Sequence, residues 1–303
     1  MLSILIPVYN RNITALVKEL HRQAVSLSVN FEIICMDDAS SLYIEENKKV
    51  QLLDKVQWIE VKINQGRSEI RNALIEASSY DYLLFLDCDM QIPNQQFLAK
   101  YSKLRENRVI CGGRIYIDSD LNNDTGLHFH YGKKRETFKT ASSLSESSFI
   151  SGNFFIHKQV FKTVKFNADI KGYGHEDTLF GIELREAGIA ILFTDNPTIH
   201  RGVDNNDSFL DKTRNAIDNL FQDNPEIEQK LHRNVRLTQF AFRYSWLLYS
   251  SGIIYPWIKR ILETGMKAFP SYICLMDIYK LSYLGNQCLK RQKAVQALPI
   301  SNK

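Results

Sequence analysis

Short apolar runs alternate with helix-period stripes through the first two thirds of the chain. Ser3–Tyr9 (SILIPVY) is an apolar run of the kind a strand buried on both faces requires. Behind it Ile13, Leu16, Val17, Leu20, Ala24 and Leu27 recur at helical spacing, with Asn12 placed to cap the helix. Phe31–Met36 predicts a second strand, running into Asp37-Asp38-Ala39-Ser40, and Val56–Ile63 a third. Ser68 is placed to cap a helix carrying Ile70, Ala73, Leu74 and Ala77 on one face, and Tyr82–Leu86 (YLLFL) predicts a fourth strand ending at Asp87-Cys88-Asp89. Repeated strand–helix–strand units imply a parallel sheet with helices on both faces. Ligands of such sheets bind beyond the carboxyl ends of the strands. The polar clusters at Asn10-Arg11, Asp37-Asp38 and Asp87–Asp89 all fall at those ends.

The pattern changes at Val109. Val109–Ile117 reads as a pair of strand segments around Gly112-Gly113, and residues 118–148 as a long polar loop. Phe149–Ile156 returns to strand, Glu176–Ala187 to helix with Gly188 as its C-cap, and Ile189–Thr194 to strand. After Gly202 the chain reads as mostly helical, which divides it into an α/β domain over 1–206 and a helical region over 207–303.

Charge adds a second asymmetry. Residues 1–208 carry 24 Lys and Arg against 27 Asp and Glu, and residues 209–303 carry 14 against 7, so a mildly acidic domain precedes a basic tail. Within the tail, Tyr244–Ile258 is dense in aromatic and aliphatic residues and is followed by Lys259 and Arg260. It is too short to span a bilayer. Tyr and Trp beside Lys and Arg suit a membrane surface through residues 236–269, whereas a packed helical pair or an oligomer contact explains the apolar residues equally well. The five cysteines form no CxxC pair and read as free thiols of a reducing compartment. No signal peptide or spanning helix is expected, so the expected location is cytoplasmic, at the inner face of the membrane if the tail binds lipid. The acidic domain and the lack of a recognition motif argue against nucleic acid as a partner.

Three clusters can carry chemistry. Asp87 and Asp89, at i and i+2 where a strand ends, can share a divalent cation, and hard oxygen ligands suit Mn²⁺ or Mg²⁺. A D-x-D triplet is weak by itself: Asp118-Ser119-Asp120 is another, opening the polar loop. The segment Gly172-Tyr173-Gly174-His175-Glu176-Asp177 sets two acids at a helix start, where the dipole favours their ionised forms. An ionised carboxylate within reach of a hydroxyl is a general base; the plainer reading is that both acids only complement the helix. His200, after the last strand, is either a structural histidine or a ligand beside an acidic metal site.

In order and spacing, Pro7-Val8-Tyr9-Asn10-Arg11, the Asp37–Ser40 turn, Asn64-Gln65-Gly66-Arg67 with Arg71-Asn72, Asp87–Asp89, Gly152-Asn153 and Gly172–Asp177 resemble the family 2 inverting glycosyltransferases, over roughly residues 1–205. The last segment also resembles the C-terminal motif of β-1,4-galactosyltransferases and of chondroitin polymerase-type domains. The resemblance implies an A-type glycosyltransferase fold, a Rossmann-like mixed sheet with helices on both faces. It implies that Pro7, Tyr9, Arg11, Asp37, Asp38, Asn64, Gly66, Arg67, Arg71, Asp87, Cys88, Gly152 and Asn153 line the nucleotide-sugar site. It further implies that Asp87, Asp89 and His200 hold Mn²⁺ or Mg²⁺, that Asp177 is the base, and that Glu176 holds sugar hydroxyls. Tyr173, Gly174 and His175 would line the donor and acceptor sugars. Tyr173 stands where the galactosyltransferase motif has tryptophan and His175 where it has glycine, which leaves sugar specificity open. The expected reaction is metal-dependent, inverting transfer of a hexose or N-acetylhexosamine from a UDP-sugar to a glycan or lipid-linked glycan. The rival is a non-catalytic nucleotide-sugar or glycan binding module of the same fold.

Overall fold

The computed structural model describes residues 1–27, 29–104, 109–137, 149–170 and 172–296. The elements are β1 (Leu2–Val8), α1 (Thr14–Ser26), β2 (Phe31–Asp37), α2 (Ile44–Lys48), β3 (Val56–Glu60), α3 (Arg67–Ala77), β4 (Tyr82–Leu86), β5 (Met90–Gln91), α4 (Phe97–Ser102), β6 (Val109–Cys111) and β7 (Arg114–Ile115). They continue with α5 (Gly126–Tyr131), β8 (Asn153–His157), α6 (Glu176–Glu186), β9 (Ile191–Phe193), β10 (Thr198–His200), α7 (Asn206–Asp218), α8 (Pro225–Asn234), α9 (Arg236–Arg243), α10 (Ser245–Ala268) and α11 (Ile273–Gln296). Contacts group them into two units, one of Met1–Asp120, Gly132–Gly172 and Glu176–Val203, the other of Leu121–Tyr131, Tyr173–His175 and Asp204–Lys303. The second unit therefore draws two short segments from before residue 206.

In the first unit a seven-stranded sheet has the order β3-β2-β1-β4-β8-β6-β9. The β1 to β4 pairings are parallel, but β8 lies antiparallel between β4 and β6, so the sheet is mixed where the repeated units alone imply parallel. A second sheet of order β5-β10-β7 joins Met90–Gln91 to Thr198–His200 and Arg114–Ile115. These strands are two or three residues long; Arg114–Ile115 falls within the predicted pair of segments over Val109–Ile117, whereas Met90–Gln91 and Thr198–His200 are too short to show a pattern.

The large sheet is covered on both faces. Ile4, Ile6, Ile33 and Leu84 pack with Leu16, Val17 and Leu20 of α1 on one side. Leu5, Ile34, Leu83 and Phe85 pack with Ile70 and Leu74 of α3 and Phe180 of α6 on the other. That second core is rich in rings: Phe166 stacks on Phe180 at 4.3 Å between centroids and Phe85 on Phe154 at 4.7 Å. Through Phe180 this cluster fixes α6, whose first two residues are Glu176 and Asp177.

Two predicted caps fall elsewhere. Asn12 accepts a hydrogen bond from the Thr14 N–H at 3.0 Å, but the residue before the helix is Ile13. At α3 the residue before the helix is Gly66 at φ +84°, and Ser68 is buried within the first turn. Part of the segment read as a polar loop, residues 118–148, is helical: Gly126–Tyr131 is α5, followed by a π-type turn over Gly132–Glu136. Residues 138–148 lie outside the described residues. All five cysteines are free thiols.

In the second unit α10 and α11 cross backbone to backbone. A Cβ on Gly285 would lie 2.1 Å from the Leu248 carbonyl oxygen, and one on Gly252 would lie 2.4 Å from the Gly285 carbonyl carbon. Backbone cannot yield as a flexible side chain would, so Gly285→Ala is expected to destabilise the helical pair by about 1–3 kcal/mol. Thermal unfolding checks this; an unchanged melting temperature would mean the helices cross at another point.

Candidate active site

The loops after β1, β2 and β4 converge at the carboxyl edge of the sheet. Asp37 ends β2 and is buried; its Oδ2 accepts the Ser40 N–H at 2.9 Å, while Oδ1 has no hydrogen-bond partner among the described residues. Asp38 Oδ1 accepts the N–H of Gln65 at 2.6 Å and Oδ2 that of Gly66 at 3.0 Å, and its carbonyl accepts Asn64 Nδ2 at 2.9 Å. Asp38 thereby supplies the anchoring at the start of α3 that Ser68 was expected to give. Burial pushes its carboxyl up, the two N–H groups pull it down, and the neighbouring charge of Asp37 adds to the rise. Pro7 lies in β1, and Tyr9 just beyond it is 53% exposed.

The Asp87–Asp89 triplet points its two acids at different partners. Asp87 Oδ1 accepts Arg71 Nη2 at 2.8 Å, and a Cβ on Gly152 would come within 3.0 Å of Asp87 Oδ2. Arg71, on α3, is only 2% exposed. Its Nη1 lies 3.9 Å from Glu176 Oε1, and Arg67 Nη1 lies 3.3 Å from the same oxygen. Asp87, Arg71, Glu176 and Arg67 thus form one ionic chain from the end of β4 to the start of α6, joining clusters nearly ninety residues apart in sequence.

Asp89 turns to His200 instead. His200 Nε2 is 3.4 Å from Asp89 Oδ2, the Arg201 N–H donates to the Asp89 carbonyl at 2.8 Å, and Gly202 packs directly on the Asp89 carboxylate. Burial opposes ionisation of Asp89, but His200, Arg114 and Arg11 outweigh it and hold the carboxyl well below the usual range. Asp89 Oδ1 is buried and has no hydrogen-bond partner among the described residues. Asp89 also borders a cavity of about 580 Å³ lined by Arg11, Tyr43, Cys88 and Arg201 among others. Burial pushes the Cys88 thiol up to about 12, with the charges of Asp89 and Asp87 adding, so it stays neutral.

The acids of α6 differ from each other. Glu176 is buried, and although burial opposes ionisation, Arg67 and Arg71 hold its carboxyl low. Asp177 is pushed up to about 6, first by burial and then by the charge of Glu176; Arg114, Arg71 and the Thr178 N–H oppose the rise. The expectation that the helix dipole lowers both acids is therefore corrected for Asp177. Burial beside a second carboxylate outweighs a dipole effect of about 0.3–1 kcal/mol. Arg114 acts on both Asp177 and Asp89, as Arg71 acts on both acids of α6.

Asn153 is held by side-chain hydrogen bonds at the sheet edge. It is buried, its Oδ1 accepts Tyr101 Oη at 2.6 Å, and its Nδ2 donates to the carbonyls of Gly113 and Asn196 at 2.9 Å each. These bonds brace the sheet edge at the end of β4 and β6. Tyr173, Gly174 and His175 belong to the second unit. There the Tyr173 ring lies 5.3 Å from Lys212 Nζ, Gly174 at φ +104° packs on Ala216, and His175 has φ +71°. Arg114, within the predicted segment Val109–Ile117, and Arg201, beside His200, carry no local sign of a role, because the carboxylates they act on lie elsewhere in the chain.

Among the described residues, no group of three or more His, Cys, Asp and Glu side chains is arranged to hold a metal ion. The Asp89–His200 pair nevertheless fits a divalent cation. It offers an oxygen and a nitrogen ligand side by side, and one buried carboxylate oxygen lacks a partner.

A mixed sheet with carboxylates at its strand ends and helices on both faces is the A-type glycosyltransferase architecture. The solved structures agree on the fold. A mannosyltransferase from Pyrobaculum calidifontis, in complex with GDP-Man and Mn²⁺, superposes with a TM-score of 0.59 at 12% identity, covering 96% of this chain and 87% of that one. S. aureus TarS 1–349 in complex with UDP-GlcNAc gives 0.52 at 14% identity, covering 96% and 92%. Residues 3–165 match the model of glycosyl transferase family 2, and the chain belongs to that family. Among curated relatives, Escherichia coli chondroitin synthase is 27% identical over 224 residues, 62% of this chain and 32% of that protein. An uncharacterised glycosyltransferase of Haemophilus influenzae is 40% identical over 91 residues, 29% of each. These matches span about a third of the relatives' lengths.

Proposed function

We propose that the protein is an inverting glycosyltransferase that moves a hexose or N-acetylhexosamine from a UDP-sugar to a hydroxyl of a glycan or lipid-linked glycan, with Asp177 as general base. The observation that carries this reading is Asp177 itself: a carboxylate pushed up to about 6 at the start of α6, tied through Arg71 and Glu176 to the donor-side Asp87. A base works best when its pKa lies near the operating pH, and burial beside Glu176 supplies that tuning.

Tyr9 and Asp37 line the nucleoside end, with Asp37 Oδ1 as the uncommitted acceptor. Asp38 shapes the pocket by holding the 64–66 loop, and Arg67 and Arg71 set the charge of Glu176. Asp89 and His200 would hold a divalent cation, Mn²⁺ or Mg²⁺, which when bound neutralises charge on the leaving diphosphate. Asp177 takes the proton of the acceptor hydroxyl. The acceptor oxygen bonds to the anomeric carbon as the bond from that carbon to the diphosphate oxygen breaks, and UDP departs with the bonding pair. Attack from the opposite face inverts the centre.

Titrating the protein with UDP-hexoses and UDP-N-acetylhexosamines, with and without EDTA, tests the assignment. Chelator-sensitive UDP release and a β-linked product from an α-linked donor, read from the anomeric proton coupling, are expected. An α-linked product would overturn inversion, and turnover of GDP-mannose but no UDP-sugar would overturn the donor class.

A further inference from the structure

Helix α10 carries two incompatible faces. Leu248, Ser251, Gly252, Tyr255 and Met266 are buried, with Gly252 at the close crossing on α11. On the opposite side Trp246, Ile253, Trp257 and Ile261 follow one another at intervals of seven, four and four residues and therefore share one stripe. They are 71%, 56%, 72% and 72% exposed. The preceding helix α9 adds Phe240, and Tyr244 at the junction meets it at 4.9 Å between ring centroids. Isolated exposed apolar residues need no explanation, but a continuous aromatic stripe marks a surface that something covers.

Charge says what covers it. Residues 236–269 hold five Lys and Arg and a single acid, Glu263. Glu263 is turned inward, accepting Arg214 Nη1 at 3.0 Å and Tyr279 Oη at 2.9 Å. Arg236, Arg243 and Arg260 are exposed along the same helices. A second copy of this chain docked through the same patch would bring positive charge against positive charge, as a two-fold contact requires. An anionic bilayer surface offers apolar depth for the tryptophans and negative charge for the arginines at the same level. No described helix is long and apolar enough to cross a membrane, so α10 would lie along the surface.

We propose that α9 and α10 form a monotopic face that binds anionic lipid, with Trp246, Ile253, Trp257 and Ile261 in the acyl boundary and Arg236, Arg243 and Arg260 at the headgroups. Lipid binding by this face does not depend on which sugar is transferred.

The test uses the full chain with vesicles of phosphatidylcholine alone or mixed with phosphatidylglycerol. Co-sedimentation with mixed vesicles at least tenfold tighter than with phosphatidylcholine is expected. Each Arg→Gln change among the three should weaken it about fivefold, from ~1 kcal/mol per cation at such a surface. Trp246→Ser with Trp257→Ser should abolish sedimentation. Of the three tryptophans only Trp58, in β3, then remains to report the fold, and the wild-type emission shift on lipid addition should vanish with it. Three results would overturn the proposal: a wild type that stays in the supernatant with both vesicle types, a folded double variant that still sediments, or lipid-free dimerisation that the same two substitutions abolish.

Discussion

Replacing Asp177 with asparagine is expected to lower transfer by two to four orders of magnitude while leaving UDP affinity within about twofold. The amide keeps the side chain's shape and its place beside the Thr178 N–H but cannot accept a proton. Wild-type activity should rise with pH through about 6, because the base works only when ionised. The same substitution should stabilise the fold at neutral pH. Asp177 is raised above its unfolded value, so the folded state prefers it protonated. Its favourable contribution is present below the ordinary carboxylate range and is lost as pH rises through about 6. At pH 7.5 the ionised pair of Glu176 and Asp177 therefore costs up to about 3 kcal/mol, from 1.36 kcal/mol per pKa unit. Asparagine removes most of that and gives up a helix-dipole contribution of about 0.3–1 kcal/mol. The variant should melt a few degrees higher than wild type at pH 7.5, with the gap closing by pH 4. An inactive variant that is also less stable at pH 7.5 would show that Asp177 serves the fold, and the base would have to be sought elsewhere.

That gain in stability on losing function marks where local reading stops. The strands β1, β2 and β4 are legible because each is buried on both faces, which demands an unbroken apolar run; Tyr82–Leu86 matches its predicted bounds. The carboxylates at their ends are legible for the same reason, since a strand end is where polar residues become tolerable. Residues whose role depends on a distant partner were not legible. Ser68 has the right chemistry for a cap but falls within the first turn, and Asp38, from the loop after β2, holds the residues ahead of the helix. The hydrogen-bond partners of Asn153, namely Tyr101, Gly113 and Asn196, come from three separate places in the chain. The ionisation of Asp177 depends on Arg71 and Arg114 against Glu176 and burial, a balance that no window of sequence contains. The strands β5 and β10 are too short for periodicity, although their pairing brings His200 to Asp89.

Arg71 is where the two halves of the candidate site meet, and its removal should cost most. Its guanidinium is buried between Asp87 and Glu176, donates from Nη1 to the Arg67 carbonyl at 3.2 Å, and lies 5.5 Å from the centre of the Phe166 ring. Arg71→Met keeps much of the volume and removes the charge, which leaves Asp87 without this buried partner and Glu176 facing the more exposed Arg67. Breaking a buried pair from one side costs about 3–5 kcal/mol, so a fall in melting temperature on the order of 10 °C is expected. Loss of the cation also strips Asp177 of one of the charges that lower its pKa, so any remaining activity should show its acid limb at higher pH. Arg71→Lys should keep more of the stability than Met does, because the charge survives where the two-pronged geometry does not. Adding Glu176→Gln to Arg71→Met should recover at least about 1 kcal/mol, since groups in one ionic network do not contribute independently. Strict additivity in that cycle, or a methionine variant that melts with wild type, would mean that Asp87 and Glu176 do not act as one unit and that the start of α6 is positioned by the phenylalanine core alone.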